Sequence, residues 1–387
     1  MKKVFIAGTF DIPHPGHINL IKQAQSLGDF LVVAIARDQN VIKVKGQPPY
    51  FNEEQRFKNL NQLLKPLNLA GKIILGDLND PYKNIRLERP DIVALGYDQQ
   101  TYVNGLRELV LNSDLHFKVE RLEPFKKDIC KGRNVRKAVE GNQSGFLLID
   151  KPMDWTSHDA VAKLRSITGV KQIGHTGTLD PFATGLLICA VSQATKMVGL
   201  FDVLPKTYEA TVKFGVTSDT YDRTGQISNF QFPISNQSQI SNFQLQNILN
   251  SFNGKQEQAP PMFSAKKVGG KKLYELARKG KEAERKMSDI EIYKIELLKS
   301  KIEDRKSTFD IKVICSTGTY IRTLAHDIGQ KLGTGALLEE LKRTAIGDFD
   351  VSQAVQLNKL TKDNYLKYLI KPLEAINPLN LSYARNV

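Results

Sequence analysis

Asp180 stands in the string Gly174-His175-Thr176-Gly177-Thr178-Leu179-Asp180-Pro181-Phe182-Ala183-Thr184-Gly185-Leu186-Leu187. Glycines before it and a proline after it predict an irregular loop that presents the carboxylate instead of laying it along a helix. A carboxylate held that way can act as a nucleophile. The same residues also allow a plainer role, with Asp180 as the N-cap of a helix and Pro181 at its first position. Other unusual strings flank it in order: Gly145-Phe146-Leu147-Leu148-Ile149-Asp150-Lys151-Pro152, Lys206-Thr207-Tyr208, Pro260-Pro261-Met262-Phe263-Ser264-Ala265, Ser316-Thr317-Gly318-Thr319-Tyr320-Ile321-Arg322 and Leu341-Lys342-Arg343. Taken singly, Tyr208 and Tyr320 read as core or interface aromatics and Arg322 as a surface charge.

A second kind of chemistry is written near the N-terminus, in Gly8-Thr9-Phe10-Asp11-Ile12-Pro13-His14-Pro15-Gly16-His17. The string follows an apolar strand and opens a helix that runs to about Leu27. The start of a helix offers unpaired N–H groups and a positive dipole end to an anion. His14 and His17 can both donate hydrogen bonds to a triphosphate there, and if protonated they offset charge developing at the transferred phosphorus. Gly8 and Gly16 allow a nucleotide close to the backbone. The plainer reading is a tight turn with two surface histidines.

The elements that must position these groups differ between the two halves. From residue 1 to 140, short β-branched runs alternate with helical stretches: Val4 to Ala7, Phe30 to Ala36, Lys72 to Leu75, Asp91 to Leu95 and Leu115 to Arg121 read as strands. Alternation of that kind predicts an α/β domain with a Rossmann-like parallel sheet. Asn52 with Gln55 three residues on has capping-box spacing for one of its helices. The polar stretch Gly132 to Gly145 reads as a linker, bounded at 141–145. Residues 146–350 predict an α+β domain with a mixed central sheet, including strands at Tyr208 to Phe214 and Phe309 to Cys315 and a helix from about Tyr320 to Leu332. Within it, the Asn, Gln and Ser-rich insertion 226–247 repeats Ile-Ser-Asn-Phe-Gln at 227–231 and 240–244, and reads as a poorly structured surface loop or a polar edge hairpin. The tail 351–387 has one amphipathic stretch, near Tyr365 to Ile376.

Composition narrows the partners. In 387 residues, 55 Lys and Arg stand against 41 Asp and Glu, a net charge of +14. That excess favours a polyanion, with nucleic acid first and an anionic membrane surface second. The segment 260–286 is the most basic arm: Lys266 to Lys286 holds nine basic and three acidic residues. Cys130, Cys189 and Cys315 are far apart and form no CxxC pair, so neither a disulfide framework nor a zinc site is suggested and a reducing cytoplasm fits. No run approaches 18 apolar residues, so no membrane span is expected.

The N-terminal string is the mark of the HxGH nucleotidyltransferases, and residues 1 to about 126 resemble the cytidylyltransferase-like family. Ala36-Arg37-Asp38, Lys43-Val44-Lys45-Gly46, Glu53-Glu54-Gln55-Arg56 and Leu95-Gly96-Tyr97-Asp98-Gln99 narrow the resemblance to archaeal-type FAD synthases and glycerol-3-phosphate cytidylyltransferases. The resemblance implies that Thr9, Phe10, His14, Gly16 and His17 hold the nucleotide phosphates, that Lys45 assists them and that Asp98 faces the nucleoside. It implies ATP or CTP with Mg2+, and a small phosphorylated acceptor such as FMN or glycerol phosphate. Relatives usually carry a Ser/Thr-rich loop before the last helix, where this chain reads Asp128-Ile129-Cys130-Lys131-Gly132-Arg133. Lys131 and Arg133 are the groups there that could replace the missing hydroxyls.

Over residues 145 to about 350, the ordered strings resemble the bacterial TruB family of tRNA pseudouridine-55 synthases. By that resemblance Asp180 is the nucleophile, His175 sits where the target uridine leaves its stack, and Tyr208 stacks on the flipped base and handles its proton. Tyr320 and Leu341 contact the base, Lys151 lies on the substrate side, and Arg322 pairs with Asp180 and keeps it ionised. Lys266, Lys267, Lys271 and Lys272 reach the T-stem phosphates of tRNA. Isomerisation needs no cofactor, and no stable protein partner is implied. Many relatives add an RNA-binding PUA domain, for which the tail is too short. The contrasting expectation is an RNA chaperone whose N-terminal half is a nucleotide-sensing or tethering module.

Overall fold

The computed structural model describes residues 1–100, 103–126, 130–230, 241–264, 266–268, 271–273, 277, 284–301, 308–377 and 380. The chain forms two compact units, one of Met1–Phe146, Val191–Leu200 and Ile370–Val387, the other of Leu147–Ala190 and Phe201–Leu369. Among the described residues no helix is long and apolar enough to cross a membrane.

The first unit is built on β1 (Lys3–Gly8), α1 (Pro15–Gln25), β2 (Phe30–Ile35), α2 (Asp38–Lys45), α3 (Glu53–Leu64), β3 (Gly71–Leu75), α4 (Lys83–Glu88), β4 (Ile92–Leu95), α5 (Val103–Leu111), β5 (Lys118–Arg121) and α6 (Gly132–Glu140). The five strands are all parallel, in the order β3-β2-β1-β4-β5. Helices must cover both faces of such a sheet, which is why β2 reads Phe-Leu-Val-Val-Ala-Ile without polar alternation. Strand order reverses between β1 and β4, and ligands of open parallel sheets bind at the carboxyl ends of the strands flanking that reversal. The His14–His17 turn follows β1 there, and Gly96–Asp98 follows β4. Asn52 caps α3 by accepting the Gln55 N–H at 2.9 Å. Residues 132–140, read above as the start of a linker, instead form α6, because Val135 and Ala138 lie on one helical face and are fully buried.

The second unit contains β6 (Gly145–Lys151), α7 (Ser157–Thr168), β7 (Ile173–His175), β8 (Thr184–Val191), β9 (Lys206–Phe214), β10 (Val216–Ser218), β11 (Ile227–Asn229), α8 (Asn242–Asn250), β12 (Gly254–Gln258), β13 (Lys267–Val268), β14 (Lys271–Lys272), β15 (Ser288–Lys301), β16 (Thr308–Cys315), α9 (Ile321–Leu332), β17 (Ala336–Ile346), β18 (Phe349–Asp350) and β19 (Val355–Gln356). Its mixed sheet runs β12-β15-β16-β9-β17-β8-β6-β19. Alternation along β9 and β16 turns Val212, Phe214, Phe309, Ile311 and Val313 to one face, where Leu324 and Ile328 of α9 and Leu245 and Leu249 of α8 pack on them. The insertion is therefore more ordered than expected at both ends. Ile227–Asn229 pairs with Val216–Ser218, and Ser241 caps α8 while Leu245 and Leu249 are fully buried one turn apart. Residues 231–240 lie outside the described set.

Candidate active sites

In the second unit, four anchors define the Asp180 loop. Arg343 of β17, 1% exposed, donates from Nη2 to the Gly177 carbonyl (3.0 Å) and from Nε to the Leu186 carbonyl (2.8 Å). Ser157, at the start of α7, accepts the Leu179 N–H at 2.8 Å. Lys151 at the end of β6 donates to the Pro181 carbonyl at 3.1 Å. Gly185 lies beside Arg343 in the β8–β17 pairing with φ of +96°, and a Cβ there would sit 2.3 Å from the Arg343 carbonyl oxygen, so only glycine fits. Asp180 leads into a turn and then β8, not a helix, which removes the N-cap reading.

The fourth anchor holds the carboxylate itself. Arg322, in the first turn of α9 and 4% exposed, places Nη2 2.9 Å from Asp180 Oδ1 and Nη1 3.4 Å from Asp222 Oδ2. The same guanidinium donates to the Phe263 carbonyl at 3.0 Å and the Thr220 carbonyl at 3.3 Å. Asp222 is buried, and its Oδ1 accepts from Thr220 Oγ1 (2.8 Å), the Thr224 N–H (2.8 Å) and Thr224 Oγ1 (2.5 Å). One cation thus bridges two carboxylates, of which Asp180 alone keeps a partly open face, with 30% of its side chain exposed. Burial pushes the Asp180 carboxyl above the usual carboxylate range, with the Arg322 charge acting the other way and the Asp222 charge adding to the rise.

Tyr208 is 9% exposed on β9, paired with Arg343 in register. Burial raises its phenol, while the Arg343 charge and a hydrogen bond from Arg343 lower it. Tyr320, the N-cap of α9, is half-buried, and its backbone is fixed by Gln258, which accepts the Tyr320 N–H at 2.8 Å. Its phenol is raised by burial and feels both Arg322 and Asp180. Burial lowers His175 below the usual imidazole value, so its ring is neutral, and its Nδ1 accepts the Gly177 N–H at 3.3 Å. Leu341, 6% exposed, faces Ala210 of β9. A carboxylate, two phenols and a paired guanidinium thus converge on one site.

The N-terminal site forms in the first unit. Arg56 of α3, with no exposed surface, donates to the carbonyls of Thr9, Ala36 (2.6 Å) and Phe51 (3.1 Å) and pairs with Asp38 at 2.7 Å. It ties together the loops after β1 and β2. Asp11 completes the brace by accepting the Tyr50 and Phe51 N–H groups at 2.8 and 2.9 Å. A Cβ on Gly8 would lie 2.8 Å from the Phe10 ring, so that ring can fold back only over glycine. The His14 and His17 rings lie 4.0 Å apart, centre to centre. The His14 N–H donates to His17 Nδ1 at 3.3 Å, which leaves the His17 proton on Nε2. Lys45 ends α2 close enough for its charge to depress His17, and it feels Asp11 and Asp98 in turn. Burial lowers His14 to about 4 and His17 well below its usual value. Without a bound anion both rings are therefore neutral at pH 7, each with one N–H to donate.

Three family models match the chain: Cytidylyltransferase-like over residues 5–154, TruB family pseudouridylate synthase (N terminal domain) over 165–321, and tRNA pseudouridylate synthase B C-terminal domain over 322–376. The tRNA pseudouridine synthase B of Geobacter sulfurreducens is 42% identical over 240 residues, 61% of this chain and 76% of that protein. Its counterpart from Prochlorococcus marinus is 44% identical over 239 residues, 61% of this chain and 74% of that protein. That from Aquifex aeolicus is 42% identical over 227 residues, 58% and 77% respectively. The chain belongs to the TruB family. It is a pseudouridine synthase joined to a cytidylyltransferase-like domain.

Within this TruB-family enzyme two sequence assignments change. Lys151 does not face the substrate: it has no exposed surface, and its ammonium is committed to the carbonyls of Pro152 (2.9 Å), Trp155 (2.5 Å) and Pro181 (3.1 Å). Burial lowers its pKa to about 8. Lys266 donates to the Lys286 carbonyl at 3.2 Å and to Ser288 Oγ, so it anchors the basic arm instead of projecting from it. In backbone register Lys267 pairs with Lys272, and Val268 with Lys271, across β13–β14. Three residues of the sites went unassigned in sequence. Asp222 lies in Ser218-Asp219-Thr220-Tyr221-Asp222-Arg223-Thr224-Gly225, which reads as a polar turn; Arg343 and Arg56 stood inside quoted motifs without a role.

Proposed function

We propose that this TruB-family synthase isomerises uridine 55 in the T-loop of tRNA, and that its N-terminal domain transfers a nucleotide from ATP to FMN. The first half rests on the Asp180 carboxylate, held ionisable by Arg322 beside two phenols. In the isomerisation Asp180 forms a transient bond to the nucleoside, the N1–C1′ bond breaks, the uracil turns and C5 bonds to C1′; the bond to Asp180 is released, C5 loses its proton and N1 gains one, with Tyr208 the phenol placed to carry it. Atoms balance without redox or phosphate chemistry, so no cofactor enters. The target base must leave its stack, which a single-stranded loop makes less costly and stacking on Tyr208 offsets.

The basic arm would follow the T-stem phosphates. Changing Lys267, Lys271 and Lys272 to Gln should make the log–log salt dependence of tRNA binding shallower by up to about 2.7 units, since each phosphate contact contributes about 0.9. Filter binding over a salt series measures this, and an unchanged slope would reduce the arm to a solvated face.

The second half rests on the His14–His17 pair at the helix start of a parallel sheet's switch point. Mg2+ would come with the triphosphate and be held mainly by its oxygens. Asp11 is already committed to two backbone donors. His14→Ala or His17→Ala should lower nucleotidyl transfer by about 10²-fold or more, as for one lost transition-state donor. Pyrophosphate release with ATP and CTP across several acceptors tests it; rates within twofold of the parent would remove the histidines from the chemistry.

A further inference from the structure

The chain returns to its first unit at Ile370, after the whole of the second. Ile370 exchanges both backbone hydrogen bonds with Phe146, at 2.8 and 2.9 Å, and residues 372–377 then turn as a helix with Ala375 and Ile376 buried. Asn380 lies beyond that turn. It is 2% exposed, and its Nδ2 donates to the Pro13 carbonyl at 3.0 Å, from the opposite end of the sequence.

The Pro13 carbonyl needs such a donor. Pro13 is buried and stands one residue ahead of the first acceptor of α1, whose His17 and Ile18 N–H groups go to the His14 carbonyl at 2.8 and 3.4 Å. The helix therefore offers Pro13 nothing. The other end of the same peptide group is the His14 N–H, which donates to His17 Nδ1 at 3.3 Å. One planar unit is thus held at both ends, by Asn380 at its oxygen and by His17 at its nitrogen. A donor on the carbonyl polarises the peptide and strengthens its N–H as a donor in turn. With Nδ1 engaged as an acceptor, the neutral His17 ring carries its proton on Nε2.

Folding alone does not account for an amide here. Among the described residues Asn380 Oδ1 has no hydrogen-bond partner although it is shielded from solvent, and a buried acceptor left so costs stability. Leucine has nearly the same shape. It would relieve that cost while leaving the Pro13 carbonyl without its donor, so the two changes offset and stability should stay near the parent's.

We propose that Asn380 is a positioning residue of the N-terminal site: by fixing the Pro13–His14 peptide it holds His17 in the orientation and tautomer that present Nε2–H to the triphosphate. The proposal rests on the nucleotidyl-transfer reading above. It makes the end of the chain a part of that site.

The full chain tests this with isotope-labelled histidine, where two-bond nitrogen–proton correlations read the tautomer of each ring and His17→Gln identifies the His17 signals. Asn380→Leu should keep the melting temperature near the parent's and turn His17 from one tautomer into a mixture of two. It should also lower kcat for nucleotidyl transfer about tenfold, the size expected for one lost buried hydrogen bond, with KM for ATP changed by less than about twofold. Asn380→Asp keeps the shape, but its ionised carboxylate has no proton to give Pro13, so it should show the same mixture and a rate at least as low. A single His17 tautomer and the parent's kcat in either folded variant would overturn the proposal. So would matched losses of stability, ATP affinity and rate with His17 still protonated on Nε2 alone, since a side chain that only fills space gives that result. No pyrophosphate release by the parent with any acceptor would instead remove the nucleotidyl-transfer reading, and the His17 signals would still decide whether Asn380 sets the ring.

Discussion

Asp180→Asn abolishes pseudouridine formation on a tRNA T-loop transcript while RNA binding stays near the parent value. The substitution keeps the size of the side chain, and its carbonyl oxygen can still accept from Arg322 Nη2, which lies 2.9 Å from Asp180 Oδ1. What it removes is the anion, and without it no covalent bond to the nucleoside forms. Affinity comes mainly from phosphate contacts and base stacking, to which a carboxylate contributes nothing. The loop should keep its course, because Arg343, Ser157 and Lys151 hold it through backbone groups of Gly177, Leu186, Leu179 and Pro181. Primer extension over carbodiimide adducts, run beside filter binding, separates chemistry from affinity. Full modification by the Asn variant would refute the nucleophile, whereas parallel loss of binding and modification would indicate that the loop has collapsed.

Much of the fold was legible because it depends on local pattern. The apolar runs of the first unit fall within a few residues of β1 to β5, and the Asn52 to Gln55 spacing closes as a capping box. The limits of such reading show in the repeated pentapeptide. Ile-Ser-Asn forms a strand at 227–229, where Val216–Ser218 offers an edge, whereas in the second copy Ser241 caps a helix that starts at Asn242, where Leu245 and Leu249 find a core. Identical local propensity, different tertiary partners. The sites divide similarly. Asp180 is marked by the glycines and proline around it, but Asp222 has no such marker, since only the fold brings it to Arg322 from 100 residues away. Lys151 looks in sequence like a charge free to bind a ligand, and Arg56 has no assigned role. Both are buried instead, because segments distant in the chain, Pro181 for Lys151 and Thr9 and Ala36 for Arg56, bring carbonyls to them.

Arg322→Met lowers the rate of pseudouridine formation by about 10- to 10³-fold at neutral pH, since a neighbouring guanidinium lowers a carboxyl pKa by about 1–3 units and each unit is up to a factor of ten in the ionised fraction. Arg322 faces Asp180 with one nitrogen and Asp222 with the other, so its removal leaves two carboxylates sharing a shielded site. Each then disfavours ionisation of the other. Asp180 already titrates above the usual carboxylate range, because burial outweighs the pull of Arg322. Removing that pull raises it further. The reaction needs the anion, so its rate falls as pH drops through the Asp180 pKa, and in the Met variant that fall begins at higher pH than in the parent. Raising the pH should therefore restore part of the lost rate. Arg322→Lys keeps a charge but loses the planar fork, and its acid limb should lie between the two. Asp222→Asn removes the second carboxylate, which favours the Asp180 anion, so its acid limb should move to lower pH than the parent's. Single-turnover rates from about pH 5 to 9, with melting curves to confirm folding, distinguish these cases. A uniform loss in Arg322→Met, with the parent's pH profile, would mean that the guanidinium only holds the Phe263 and Thr220 carbonyls in place and does not set the charge of Asp180.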